Sequence, residues 1–304
     1  MSPFRARGFG LDWQADIALS QFDPLPPAPE ASDVVVSRAE QLAGRVARRH
    51  INRGEVFDDG VRFGWKGEVT FDVYDGSRVE YCPGAGWHDE LPAAFFSTVT
   101  GLVLAWRGML PLHATALDFS GRAILLAGRA GAGKSTLAAE LMQEGAQLLS
   151  DDLTVLGKTN GNDLPIAFRG RQSMRLHPGT AITVDASRSE SVPQDLRGKR
   201  LVWPHLRTSA DSLPVAGMIL LGNGQGPVSS PELMRIMPRV LFRPSWMATI
   251  PGHAARRADL LDFALRIPAW LLPPISGFSV DDRSRRVGAA LEAVEMLASS
   301  TVPL

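Results

Sequence analysis

Residues 128–136 read GRAGAGKST. Glycines at this spacing let a backbone curl until consecutive N–H groups point inward, where they can hold phosphate oxygens. Gly128, Gly133, Lys134 and Ser135 occupy the fixed positions of the G-x-x-x-x-G-K-[ST] pattern. The whole run of Gly128, Arg129, Ala130, Gly131, Ala132, Gly133, Lys134, Ser135 and Thr136 is therefore the candidate nucleotide-binding loop. In such a loop the lysine reaches the β/γ-phosphates and the hydroxyl after it sits on Mg²⁺. A glycine-rich turn with an exposed lysine is the plainer reading. The apolar run RAILLA (122–127) ahead of the loop and the helical pattern of Leu137, Leu141 and Met142 after it favour phosphate binding.

A phosphate cradle transfers nothing alone; it needs a second metal contact and a group to take the acceptor's proton. LLSDDL (148–153) supplies two carboxylates, Asp151 and Asp152. Neighbouring strand residues face opposite ways, which suggests that one aspartate serves the acceptor and the other the metal. A pair that only ends a strand and opens a turn is the alternative. His113, in PLHATALDF (111–119), is the third candidate, as a partner for an aspartate or an aid to proton transfer. A packing histidine at a strand end is the competing account.

The elements that must position these groups are legible. A helix of about ten residues runs roughly 15 Å away from the loop at 1.5 Å per residue. A strand of about five residues, AQLLS (146–150), returns roughly 16 Å. If that strand runs parallel to 122–127, as a βαβ unit requires, both carboxyl ends share one sheet edge and the aspartates arrive beside the cradle. Ser120-Gly121 reads as a two-residue hairpin turn, so paired positions sum to 241 and His113 falls opposite Gly128.

Residues 1–90 read as a small β-rich domain, with β-branched or aromatic runs at 33–36, 61–65, 68–74 and 78–82. The stretch DPLPPAPEA (23–31) reads as a proline-rich connector. From 91 to 304 the pattern becomes α/β. A buried helix covers about 91–107, and strands fall at 122–127, 146–156, 199–207, 213–222 and 266–272. Helices fall at 135–144, 231–241, 253–265 and 281–299, the last with Val287, Leu291, Val294 and Leu297 on one stripe.

Lys+Arg and Asp+Glu both total 32, so charge gives no reason to expect a nucleic acid or a membrane surface as partner. Cys82 is the single cysteine, which excludes an intrachain disulfide and suits a reducing compartment. The start has no signal-type apolar core, and the longest apolar run (93–106) is too short to span a bilayer. The expectation is a cytoplasmic protein.

Together LHATAL, LLAGRAGAGKST, LLSDDLTVL and the later PHLRTSADS with VAGMILL resemble the HPr serine kinase/phosphorylase family, and more closely its HPr-kinase-related kinases. The resemblance is good over about 105–272. It implies a P-loop kinase core of the HPr kinase/phosphoenolpyruvate carboxykinase type behind the N-terminal domain. It implies ATP and Mg²⁺ as donor and cofactor, and a serine hydroxyl on a peptide or small protein as acceptor. Residue by residue, it gives Lys134 and Ser135 the nucleotide and Mg²⁺ roles. Asp151 resembles the catalytic carboxylate, Asp152 its metal-side partner, and His113 the active-site histidine. HPr-type members form hexamers, so a homo-oligomer belongs to the same expectation. One departure stands out. The family's E-[IV]-R-G signature meets AFRG (167–170) here, with Ala167 where a metal-holding Glu is usual. Phosphorylase activity and HPr itself therefore fall outside the expectation. Arg169, Arg171 and Arg175 are candidates for a phosphate or an acidic peptide, or form a solvated basic loop. Lys199, Arg200 and Arg207 are further candidates for steadying the transferred phosphate. A small-molecule kinase and a nucleotide-dependent assembly module remain the alternatives.

Overall fold

A computed structural model describes residues 3–28, 30–157, 164–191, 198–277 and 279–300. The chain is mixed α/β, built on two nine-stranded sheets and a smaller three-stranded one.

The first sheet holds β1 (Phe4–Gly8), β2 (Leu11–Ala15), β3 (Asp23–Leu25), β4 (Val34–Arg38), β5 (Arg49–Ile51), β6 (Gly54–Val56), β7 (Gly60–Trp65), β8 (Val69–Tyr74) and β9 (Arg78–Pro83). Their order is β3-β1-β2-β4-β9-β8-β7-β6-β5. The start of the proline-rich stretch is thus a strand rather than connector. Pro24 is tolerated because β3 lies at the sheet edge, where no ladder donor is needed on the outer side. Pro29 of that stretch lies outside the described residues. Alternation puts Val61, Phe63, Phe71, Val73 and Val79 on a buried face. What covers that face comes from far along the chain. A π-turn (Phe95–Val99) continues into α1 (Thr100–Trp106), and both pack in the same core as Leu153, Val155, Phe242, Trp246 and Ile250.

The rest of the chain supplies β10 (Leu110–Leu112), β11 (Ala114–Phe119), β12 (Arg122–Gly128), α2 (Lys134–Met142), β13 (Gln147–Ser150), β14 (Thr154–Gly157) and β15 (Ile166–Phe168). It continues with β16 (Met174–Leu176), α3 (Pro178–Ala181), β17 (Ala186–Ser191), β18 (Arg200–Pro204), β19 (Ser212–Leu221) and β20 (Gly226–Val228). After these come α4 (Ser230–Ile236), α5 (Pro244–Met247), α6 (His253–Arg266), β21 (Ala269–Leu272) and α7 (Val280–Ser300). The second sheet runs β10-β14-β15-β19-β12-β11-β13, with β21 parallel to β19 and β20 beside β21. The third is β16-β18-β17, so the expected strand at 199–207 is shorter and sits apart from the main sheet.

Three features of this fold set the site. The β11–β12 hairpin has the register expected, Phe119 against Arg122 through Ala114 against Ala127. Ser120 and Gly121 both take positive φ, +54° and +85°, the mirror-image turn that suits strand twist. The return strand β13, by contrast, is not the neighbour of β12. It pairs antiparallel with β11, which is itself antiparallel to β12, so β11 fills the gap that α2 crosses. β12 and β13 still run the same way and end at one edge, as the crossover geometry requires. Finally, the expected single strand over 146–156 is broken. Asp152 adopts φ +67°, and the Leu153 N–H donates to the Asp151 carbonyl at 2.8 Å, closing a three-residue turn between β13 and β14.

Arg256, at the start of α6, is only 3% exposed and donates to the carbonyls of Ala105, Met247, Ile250 and Pro251 at 2.8–3.0 Å. It ties the end of α1 to the turn after α5.

Candidate active site

Gly128 ends β12 with φ +152°, and Gly131 and Gly133 take φ +86° and +99° before α2 begins. These angles are cheap only for glycine, and space excludes anything larger at two of them. A Cβ on Gly128 would stand 2.8 Å from the Leu221 carbonyl, and one on Gly133 would stand 2.6 Å from Ile275. Ile275 also donates its N–H to the Ala132 carbonyl at 3.1 Å, so the segment between β21 and α7 straps the loop. Arg286 of α7 pairs with Glu140 of α2 and holds the strap's far end to the loop's own helix.

Lys134 is 7% exposed and turned back onto the loop. Its Nζ donates to the Gly128 carbonyl at 3.0 Å and meets His113 Nε2 at 3.1 Å. Burial pushes the Lys134 ammonium below its ordinary pKa, the nearby Lys199 pushes the same way, and Asp152 and Asp151 oppose both.

His113 lies one residue beyond the β11 ladder, its N–H given to the Val240 carbonyl at 2.7 Å. Its Nδ1 stands 3.1 Å from the Asp152 carbonyl and 3.3 Å from Asp152 Oδ1. An ammonium can only donate, so Nε2 accepts from Lys134 and the ring proton sits on Nδ1, facing Asp152.

The two aspartates have different surroundings. Asp151 is 0% exposed. Its Oδ1 accepts from Thr115 Oγ1 at 2.7 Å and Ser135 Oγ at 2.9 Å, and its Oδ2 accepts from the Arg175 N–H at 3.1 Å. Asp152 is pushed into the open by its positive φ and keeps a side chain 29% exposed beside His113. Burial works to raise its pKa. The His113 hydrogen bond and the charges of Arg171 and Arg175 outweigh this and hold the carboxyl well below the usual range. Arg171 lies beneath both, 2% exposed, donating to the Asp151 carbonyl at 3.0 Å with each carboxylate 4.0 Å away.

One cavity of about 400 Å³ collects these groups. Its lining includes His113, Lys134, Ser135, Asp151 and Asp152, together with Arg175, His177 and Lys199. Other basic candidates are spent elsewhere. Arg169 pairs with Asp211 and Asp23, Arg207 with Asp23, and Arg200 with Ser189 at the small sheet's edge. Ala167 is buried in β15 among apolar neighbours.

Sequence reasoning does not single out Thr115, His177 or Ile275. Thr115 stands two residues after His113, which on a strand means the same face, and that spacing is the signal that would have found it. His177 bears the same relation to Arg175. Ile275 leaves no comparable trace, because its role is a contact with a loop 140 positions away.

No family model and no curated protein sequence matches this chain. Among solved structures it is similar to the HPr(Ser) kinase/phosphatase from Coxiella burnetii, at 15% identity with a TM-score of 0.31, over 61% of this chain and 97% of that one. A likeness of that degree decides nothing about the chemistry.

Proposed function

We propose that the chain is an ATP-dependent kinase that transfers the γ-phosphate to a serine hydroxyl of a peptide or small protein. The observation that carries this reading is the convergence of Lys134, Ser135, Asp151, Asp152 and His113 on one cavity above a glycine loop at a helix N-terminus.

The residues fit a triphosphate and a hard divalent cation. The loop N–H groups and the start of α2 favour negative charge. Ser135 Oγ and Asp151 Oδ1, 2.9 Å apart, offer the oxygen donors that Mg²⁺ prefers. No cluster of three or more His, Cys, Asp or Glu side chains suited to a metal occurs among the described residues. A cation here would be held through one carboxylate, one hydroxyl, phosphate oxygens and water. When bound, Mg²⁺ neutralises charge on the phosphates.

The contacts support dividing the aspartates the other way round from the expectation above. Asp151 is locked to Ser135 and belongs to the cation side. Asp152 and His113 face the acceptor as a carboxylate–imidazole pair. Lys134 leaves His113 for the phosphates when nucleotide enters, which frees the Nε2 lone pair. His113 then takes the acceptor hydroxyl's proton as that oxygen attacks in line, and Asp152 stabilises the imidazolium through Nδ1–H.

The test is transfer of labelled γ-phosphate to serine peptides. Ser135→Ala and Asp152→Asn should each slow transfer by at least about a hundredfold. Transfer by Asp152→Asn at the wild-type rate would remove it from the acceptor side, and ATP hydrolysis with no transfer to any acceptor would favour an assembly module.

A further inference from the structure

The cavity has a wall that the proposed chemistry does not use. β16 alternates cleanly, with Met174 and Leu176 buried while Arg175 and His177 face the cavity. Its antiparallel register with β18 pairs Leu176 with Arg200, and continuing it by one residue sets His177 opposite Lys199. Three basic side chains thus share one face of the small sheet, across the cavity from the phosphate loop. The position of that face is fixed from below, since the Arg175 N–H donates to buried Asp151 Oδ2 at 3.1 Å.

Charge distinguishes this wall from the rest of the lining. Asp151 is held by Ser135 and Thr115 and Asp152 by His113, with the charges of Arg171 and Arg175 also acting on Asp152. The loop side holds Lys134. Lys199 and Lys134 line the same cavity, and the charge of Lys199 disfavours that on Lys134. An anion between them would relieve that repulsion, and Lys134 already has the donor's phosphates to serve.

Resting on the kinase reading, we infer that Lys199, His177 and Arg175 form a subsite for an anionic group, carboxylate or phosphate, carried by the acceptor beside its reacting hydroxyl. The acceptor is then an acidic peptide segment or a small hydroxy acid, not a neutral alcohol.

The test separates this subsite from the nucleotide site. Protein saturated with Mg²⁺ and a non-hydrolysable ATP analogue is titrated with inorganic phosphate by calorimetry. Wild type should bind it, and the double variant Lys199→Ala/His177→Ala should bind it at least tenfold more weakly. Lys199→Arg should keep most of the affinity. Both positions are partly exposed, so the fold should survive, and near-ultraviolet circular dichroism checks that. Failure of the wild type to bind the analogue overturns the kinase reading itself. Analogue binding without phosphate binding, equal phosphate affinity in the double variant, or parallel loss of both ligands overturns the subsite alone. Displacement of phosphate by a Ser-Asp peptide supports a peptide source, and displacement by glycerate a small-molecule one. Equal displacement by Ser-Asp and Ser-Lys peptides overturns the inference.

Discussion

His113→Ala should move nucleotide affinity and transfer rate in opposite directions. Lys134 gives one hydrogen bond to His113 Nε2 at 3.1 Å, and it must break that bond to reach phosphate. A hydrogen bond to a charged group contributes about 1.5–3 kcal/mol. The His113 side chain is 30% exposed, so water competes and the lower end applies. Removing the ring relieves about 1.5 kcal/mol of that competition, or roughly tenfold in affinity. The bond to the Gly128 carbonyl persists in the variant and keeps Lys134 near the loop. The same change deletes the proposed base and should slow transfer by about 10²–10⁴. Calorimetry with the non-hydrolysable analogue reads the first effect and single-turnover transfer reads the second. Asp152→Asn is the control, since it leaves the Nε2 contact in place and should bind nucleotide nearly as wild type does. Unchanged or weaker nucleotide binding by His113→Ala would refute the idea that His113 competes with the phosphates for Lys134.

Arg256→Met should destabilise the protein by about 4 kcal/mol, because several buried carbonyls lose their donor at once, and urea unfolding measures it; a loss under about 1 kcal/mol would mean water replaces the guanidinium. Tyr74 holds its proton to about 12, raised by burial first and then by Asp72 and Glu80, against an ordinary value of 10.0. The unfolded chain ionises first, so stability is lost as pH rises from about 10 towards 12. Tyr74→Phe should therefore lose less stability than wild type between pH 8 and pH 11 in urea midpoints, and equal losses would exclude Tyr74 as a cause.

The candidate grouping was legible because its logic is local. The glycine loop fixes its own curl, the Ser120-Gly121 turn fixes the hairpin register, and matched lengths of α2 and β13 bring the aspartates back to the loop. What escaped was every choice of partner at long range. Nothing in AQLLS says that β11 will sit between it and β12, since either neighbour satisfies the same ladder. The turn at Asp152 stood only as the alternative reading of the acidic pair because no glycine marks it; aspartate tolerates positive φ without advertising it. Arg171 reads equally as a phosphate or peptide contact and as a solvated charge until the aspartates above it are known. The proposed division of roles between Asp151 and Asp152 rests on the contacts of Ser135 and Thr115 with Asp151, which strand alternation alone does not assign.

Trp246 and Phe242 close the core of a sheet whose first strand begins at Phe4. Ribosomes add about 5–20 residues per second, so roughly ten to forty seconds separate β4 from the residues that cover it. During that interval Val34, Val36, Phe63 and Phe71 have only part of their final apolar company. The sheet made first is thus finished late, and the chain spends its synthesis with an adhesive surface that timing, rather than stability, must protect.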